Sequence, residues 1–256
     1  MPYANNGGVK IYYEVEGQGP PLLLAHAWIQ KVESWRSYGY VESLKNDYKL
    51  ILFDARAHGK SDKPHEVSAF EANLMVGDVV AVLDDIGIEQ AHYLGYSMGA
   101  NVGLLAAILA PSRFQSFILG GIRRDVSQAV STLKAYAPLL TDPESFLRQR
   151  ERAAGVPMTD EVRTAILAND AEAVVASLKA HVDWPPVTDD ELSRISVPCL
   201  LYCGDLDNGR EKTKETAAHV PGARFVSLAG LDHGPAFMRS EMTLPHIKRF
   251  LTEITK

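Results

Sequence analysis

The chain is poor in the features that mark several protein classes. It has only two cysteines, no block of like charge, no internal repeat and no apolar run near the roughly 18 residues of a membrane span. Cys199 and Cys203 stand four apart in an apparent strand, which would put their Cα atoms about 13 Å apart. A disulfide tolerates only about 7 Å, so both are expected to be free thiols, as in a reducing cytosol. A formal net charge of −6 gives no footing for nucleic acid or an anionic membrane surface. The first residues lack the basic and then apolar profile of a secretion signal, and the expectation is a cytoplasmic protein that is a monomer or homodimer and acts on a small molecule. What the chain does have is 256 residues at 46% hydrophobic content, enough to bury one full core.

Candidate strands recur with helical segments between them: Val9–Val15, Pro21–Ala25, Leu50–Phe53, Ala91–Gly95, Phe117–Gly121, Pro198–Cys203 and Arg224–Leu228. This alternation predicts an α/β fold with a mostly parallel central sheet. Runs such as Leu22-Leu23-Leu24 and Leu50-Ile51-Leu52-Phe53 have the continuous apolar character of strands covered on both faces, and only the first strand reads as a half-exposed edge. Helices are expected at Trp35–Asn46, Phe70–Ile86, Met98–Ala110 and Met238–Ile254. Between 123 and 193 strands vanish, and helix-like segments are broken by Pro138, Pro143, Pro157 and Pro185-Pro186. That stretch reads as a helical cap inserted into a core formed by 1–122 and 194–256.

The chemistry centres on Gly95-Tyr96-Ser97-Met98-Gly99, a turn between an apolar strand and an apolar helix. A serine there stands at a helix N-terminus, where backbone N–H groups favour developing negative charge. Its hydroxyl is a weak nucleophile unaided and needs an imidazole base oriented by a carboxylate. His233 is the candidate base, because Leu228 to Pro235 forms the loop between the last strand and the last helix. In a parallel sheet, such a loop opens on the same side as Ser97. Asp207 in Gly204-Asp205-Leu206-Asp207 is the candidate acid; Asp205, nearer the strand end, is the alternative acid or a residue that ties the loop together, and Asp232 is less suited because adjacent loop residues generally point apart. Two oxyanion donors are expected, the N–H of Met98 just after the serine and that of Trp28 in the loop after the strand Pro21–Ala25.

The ordered set of motifs resembles the α/β-hydrolase family along essentially the whole chain. His26-Ala27-Trp28 is similar to its oxyanion segment and Asp54-Ala55-Arg56-Ala57-His58-Gly59-Lys60-Ser61-Asp62 to its D-x-R-G-H-G-x-S-D signature, followed by the serine turn, Gly204 to Asp207 and His233. The resemblance implies a cofactor-free, metal-free serine esterase, with Asp54, Arg56 and His58 in supporting roles. A serine at 97 sets the chain apart from the family's dehalogenases and epoxide hydrolases, which carry an aspartate nucleophile. Ala27 and Ala57 stand where the family usually has glycine, and a positive φ at either would strain the loop by about 1 kcal/mol. Arg123 and Arg124 at the cap entrance are candidates for holding a substrate carboxylate, and Tyr136, Phe146 and Trp184 for lining an apolar pocket or packing the cap itself. The expected activity is hydrolysis of a small or medium carboxylic ester through an acyl-enzyme. Carbon–carbon bond hydrolysis of a keto acid, lactonase, perhydrolase or lyase activity on the same triad, and a non-enzymatic small-molecule receptor are the alternatives.

Overall fold

The computed structural model of the chain describes residues 2–122, 126–154 and 160–254. Its strands are β1 (Tyr3–Asn6), β2 (Val9–Glu16), β3 (Pro21–Ala25), β4 (Lys49–Phe53), β5 (Ala91–Tyr96), β6 (Phe114–Gly120), β7 (Cys199–Gly204) and β8 (Arg224–Leu228). They form one sheet in the order β1-β2-β4-β3-β5-β6-β7-β8, antiparallel at β1–β2 and β2–β4 and parallel from there on. The expected α/β class with a mostly parallel sheet is what the chain adopts.

Alternation along each strand divides the core into two layers. Leu23, Ile51, Tyr93, Phe117 and Leu201 face one side, while Leu22, Leu24, Leu50, Leu52, Leu94, Ile118 and Leu200 face the other. Helices α1 (Val32–Ser37) and α2 (Tyr40–Leu44) follow β3; α3 (Ala72–Asp85) precedes β5 and α4 (Met98–Leu109) follows it. Nearly every residue of α4 is buried, so this helix shows no polar face, as its sequence predicted. Between β6 and β7 the described elements are all helical: α5 (Val126–Tyr136), α6 (Pro138–Thr141), α7 (Pro143–Ala154), α8 (Asp160–Leu167), α9 (Ala171–Val182) and α10 (Asp189–Ser193). Then come α11 (Arg210–His219), α12 (His233–Met238) and α13 (Ser240–Ile254). Among the described residues no helix is long and apolar enough to cross a membrane.

Several boundaries differ from the sequence reading. The short β1 was not expected, and because it pairs with β2, the strand at 9–16 is not the sheet edge. The edges are β1 and β8, and β8 is correspondingly only partly buried. The single helix expected over 35–46 is two, since Gly39 at φ 82° sits in the left-handed region between them. A short helix that was not expected, α12, starts at His233 itself, and the last helix, α13, then begins at Ser240 rather than at the expected Met238.

The topology positions the site. Register pairs Ala25 with Gly95, Tyr96 with Gly120, Gly120 with Tyr202 and Gly204 with Leu228, so β3, β5, β6, β7 and β8 all end along one line. The chain runs to β4 on one side of β3 and then returns to β5 on the other, making a switch point between β3 and β5. Loops that follow parallel strands at such a point enclose a crevice.

Candidate active site

Ser97 lies between the end of β5 and the start of α4 with φ 51° and ψ −108°. A non-glycine residue there carries roughly 1–3 kcal/mol of strain, which persists only if the surroundings over-determine it. They do: the Ser97 N–H donates to the Gly120 carbonyl at 2.8 Å, and its carbonyl accepts from the Asn101 N–H at 2.9 Å. Gly99 makes the turn possible. Its N–H donates to the His26 carbonyl at 3.1 Å, and a Cβ at this position would lie 2.1 Å from the Ala25 oxygen.

Imidazole and acid arrive from the two strands on the far side. His233 Nε2 is 3.0 Å from Ser97 Oγ, and His233 Nδ1 is 2.6 Å from Asp207 Oδ2. The carboxylate accepts the Nδ1 proton, which leaves the Nε2 lone pair facing the serine hydroxyl. Asp207 is buried, and its other oxygen accepts from the Gly209 N–H at 2.8 Å, so the acceptor is fixed from both sides. Asp205 is turned elsewhere: it accepts from the Gly230 N–H at 2.7 Å and links the two loops. Asp232 caps α12 by accepting from the His233 N–H at 2.7 Å.

Two supports of the imidazole were not read from the sequence. Tyr96, the residue before the serine, donates its hydroxyl to the His233 carbonyl and stacks on Phe237 at 4.8 Å. Gly121, at φ 60°, flanks the ring; a Cβ there would fall 2.8 Å from His233 Cε1. Both are adjacent in sequence to positions already singled out, which was the available signal.

The loop after β3, which carries the expected donor Trp28, abuts the serine turn through the Gly99 N–H on the His26 carbonyl. Ala27 to Gln30 forms a turn closed by the Gln30 N–H on the Ala27 carbonyl at 3.1 Å. Its left-handed residue is Ile29 at φ 59°, not Ala27, which corrects the suspicion attached to Ala27. At Ala57 the strain is real, with φ 73°. Met98 opens α4, where first-turn N–H groups lack a helical acceptor. Among the described residues neither the Met98 nor the Trp28 N–H has a hydrogen-bond acceptor. The Trp28 indole meets α9, donating to Ser177 Oγ at 3.1 Å.

The other histidines near the site are held uncharged. His26 Nδ1 donates to the Ala27 carbonyl at 2.8 Å and Nε2 accepts from the Ala55 N–H at 3.0 Å, bracing two loops; burial lowers its pKa to about 4. Burial also lowers His58 to about 3, with the nearby His26 adding to the effect. His58 donates to the Arg56 carbonyl at 3.0 Å, and Asp54 accepts from the Val32 and Lys60 N–H groups, each at 2.8 Å. Arg56 is buried in an ion pair with Asp78.

Of the remaining candidates, Arg123 and Arg124 lie outside the described residues. Phe146 is fully buried and packs at 5.3 Å against Tyr136, and the Arg150 guanidinium lies over both rings. Trp184 donates its indole N–H to the Phe70 carbonyl at 2.8 Å and meets His181 at 4.5 Å. Phe146 thus packs among the described helices between β6 and β7, and Trp184 joins the end of α9 to the Phe70 backbone. Cys199 and Cys203 are free and buried in β7, and burial raises the thiols to about 12 and about 11.

The fold, together with a serine, an imidazole and a carboxylate in one line at the strand ends, defines a hydrolase architecture. The sequence pattern of the alpha/beta hydrolase fold matches residues 20–164, and the chain belongs to that family. It is similar to proteins named as hydrolases and esterases and is an enzyme of the α/β-hydrolase type. It is 29% identical to the "Putative carbamate hydrolase RutD" of Azorhizobium caulinodans over 198 residues, 76% of this chain and 71% of that protein. A pimeloyl-[acyl-carrier protein] methyl ester esterase of Aeromonas hydrophila is 27% identical over 92% of this chain and 96% of its own. Epoxide hydrolase 3 of Siraitia grosvenorii is 31% identical, but over only 44% of this chain and 36% of that protein. Among solved structures, the enol-lactonase of Burkholderia xenovorans LB400 superposes with a TM-score of 0.82 at 22% identity, covering 98% of this chain and all of that one.

Proposed function

We propose that the protein is a serine hydrolase of small or medium carboxylic esters. The observation that carries this reading is the unbroken relay from Asp207 through His233 to Ser97, with contacts of 2.6 and 3.0 Å. His233 Nε2 takes the hydroxyl proton as Ser97 Oγ bonds to the ester carbonyl carbon, and the N–H groups of Met98 and Trp28 receive the oxyanion. The tetrahedral intermediate collapses, the alcohol leaves with the proton held by His233, and an acyl-serine remains. Water then gives its proton to His233, adds to the acyl carbon and releases the acid as the proton returns to Ser97. Asp207 stabilises the imidazolium in both halves.

Serine chemistry itself favours a carbonyl over an epoxide. Opening an epoxide with Ser97 would form an alkyl ether, which water activated by an imidazole does not cleave, whereas an acyl-serine turns over. The likeness to a carbamate hydrolase and to an esterase supports a carbonyl flanked by a leaving heteroatom, and a lactone presents the same bond in cyclic form. Two buried free thiols fit a reducing, cytoplasmic setting.

The test is a panel of p-nitrophenyl esters of increasing acyl length, with lactones and carbamates beside them, run with the wild type and Ser97→Ala. The expected result is turnover of short and medium esters that vanishes in Ser97→Ala. Activity retained by Ser97→Ala, or none on any ester, would overturn the reading.

A further inference from the structure

We propose that the cap holds the oxyanion turn in its working shape, with Ser177 as the principal positioning residue and Asn169 and His181 beside it. The inference rests on the serine-hydrolase reading and concerns how one of its two oxyanion donors is kept in place.

The turn over Ala27–Gln30 is not self-sufficient. It places a β-branched residue, Ile29, at φ 59°, a conformation such side chains adopt only under compulsion. The turn's own backbone closes it with the Gln30 N–H on the Ala27 carbonyl at 3.1 Å. Further constraint comes from the cap, at both central residues. Trp28 donates its indole N–H to Ser177 Oγ at 3.1 Å, and Ser177 in turn donates to the Val174 carbonyl within α9 at 2.7 Å, which leaves a lone pair aimed at the indole. Asn169, just before α9, donates its side-chain amide to the Ile29 carbonyl at 3.3 Å. His181 meets the Trp28 ring edge to face at 5.0 Å and accepts from the Asn101 side chain at 3.3 Å; the Asn101 N–H is the one that holds the Ser97 carbonyl. Trp28, Ser177 and His181 are all buried, so these contacts are shielded from competing water.

The clamp has a fixed reference point. Trp184, just past α9, donates to the Phe70 carbonyl of the core at 2.8 Å, and His65 pairs with Asp170 at the N-terminus of α9. Helix α9 is therefore anchored to the core at both ends, with the turn gripped from its middle. An oxyanion donor acts only if its N–H already points at the place where charge will develop. Releasing the Trp28 indole should let the turn relax from Ile29's strained angle and swing the Trp28 N–H away.

The experiment compares the wild type, Ser177→Ala, Trp28→Phe and the double variant, with two readouts. One is kcat and KM on a p-nitrophenyl ester; the other is the rate at which a p-nitrophenyl phosphonate labels the protein. In the labelling reaction the Ser97 Oγ–phosphorus bond forms, p-nitrophenolate leaves, and the phosphoryl oxygen occupies the oxyanion position. Each single variant should lower kcat and the labelling rate about tenfold, less than the roughly hundredfold or greater loss from removing a donor outright. KM should stay within about twofold, and the double variant should be no worse than either single, because both cut the same bond. Thermal midpoints separate this from a stability effect: lower midpoints with unchanged kcat and labelling would overturn the inference. Additive losses in the double variant would also overturn it. Absence of phosphonate labelling at Ser97 in the wild type would remove the serine reading and the inference with it, whereas normal labelling in the wild type and equal labelling in the variants would remove the inference alone.

Discussion

Asp205 and Asp207 leave the same strand two residues apart, carry the same group and part company by direction alone. Asp207 accepts from His233 Nδ1, and Asp205 accepts from the Gly230 backbone. If Asp207 orients the base, Asp207→Asn should lower kcat by about 10³- to 10⁴-fold, because an amide N–H facing Nδ1 selects the wrong imidazole tautomer. Asp205→Asn should leave kcat within a few-fold while costing about 1 kcal/mol or less of stability, because the amide Oδ1 still accepts from the Gly230 N–H and only the acceptor's charge is lost. Steady-state kinetics and urea denaturation on both variants check this, and equal kinetic losses would refute the assignment. That the candidate acid lay in the Asp205–Asp207 segment after β7, with Asp207 preferred, was already legible. Tyr96 and Gly121 were not, since their function depends on a ring delivered from residue 233.

At the scale of elements, the serine turn depends on β3 and α4 touching backbone to backbone at Gly99. A Cβ there would press to 2.1 Å from the Ala25 oxygen, and neither partner is a side chain free to move aside. Gly99→Ala should therefore destabilise the protein by about 3 kcal/mol or more and abolish turnover, with the loss read in a denaturant midpoint. Native stability with full activity would show that the approach of β3 to α4 is looser than observed. The strands that follow α/β alternation were readable because they are apolar on both faces, as in Leu22-Leu23-Leu24, which splits between the two core layers. The edges were not, because β1 is short and polar and β8 is only partly apolar, and which strand lies outermost is a matter of pairing rather than composition. Likewise, Ala27 drew attention as a departure from glycine, yet the positive φ fell two residues later at Ile29, whose carbonyl accepts from the Asn169 side chain.

Across the whole molecule, four of the described histidines are buried with depressed pKa values: His26 and His181 at about 4, His58 at about 3, and His92, which burial also lowers. Burial is the first cause in each case. In the unfolded chain they would titrate near 6.5. As pH falls below that value the unfolded state takes up protons that the folded state refuses, so folding stability is full above about 6.5 and is lost toward pH 4. The loss approaches about 1.4 kcal/mol per pH unit for each such histidine. Denaturant midpoints measured between pH 7.5 and 5 should fall steeply below 6.5, and a flat profile would mean that these rings are not buried as neutral groups. From the amino-acid sequence alone came the α/β class, the chain order of the candidate serine, aspartate and histidine, and the helical character of the described elements between β6 and β7, because these are written in local periodicity and in residues beside strand ends. Which carboxylate meets the imidazole, which residue of the turn after β3 takes a positive φ and how α9 meets that turn were decided only in three dimensions. Those contacts join residues far apart in the chain, such as Ser97 with His233 and Trp28 with Ser177, and no local pattern specifies the direction in which a side chain will meet a partner brought in by the sheet.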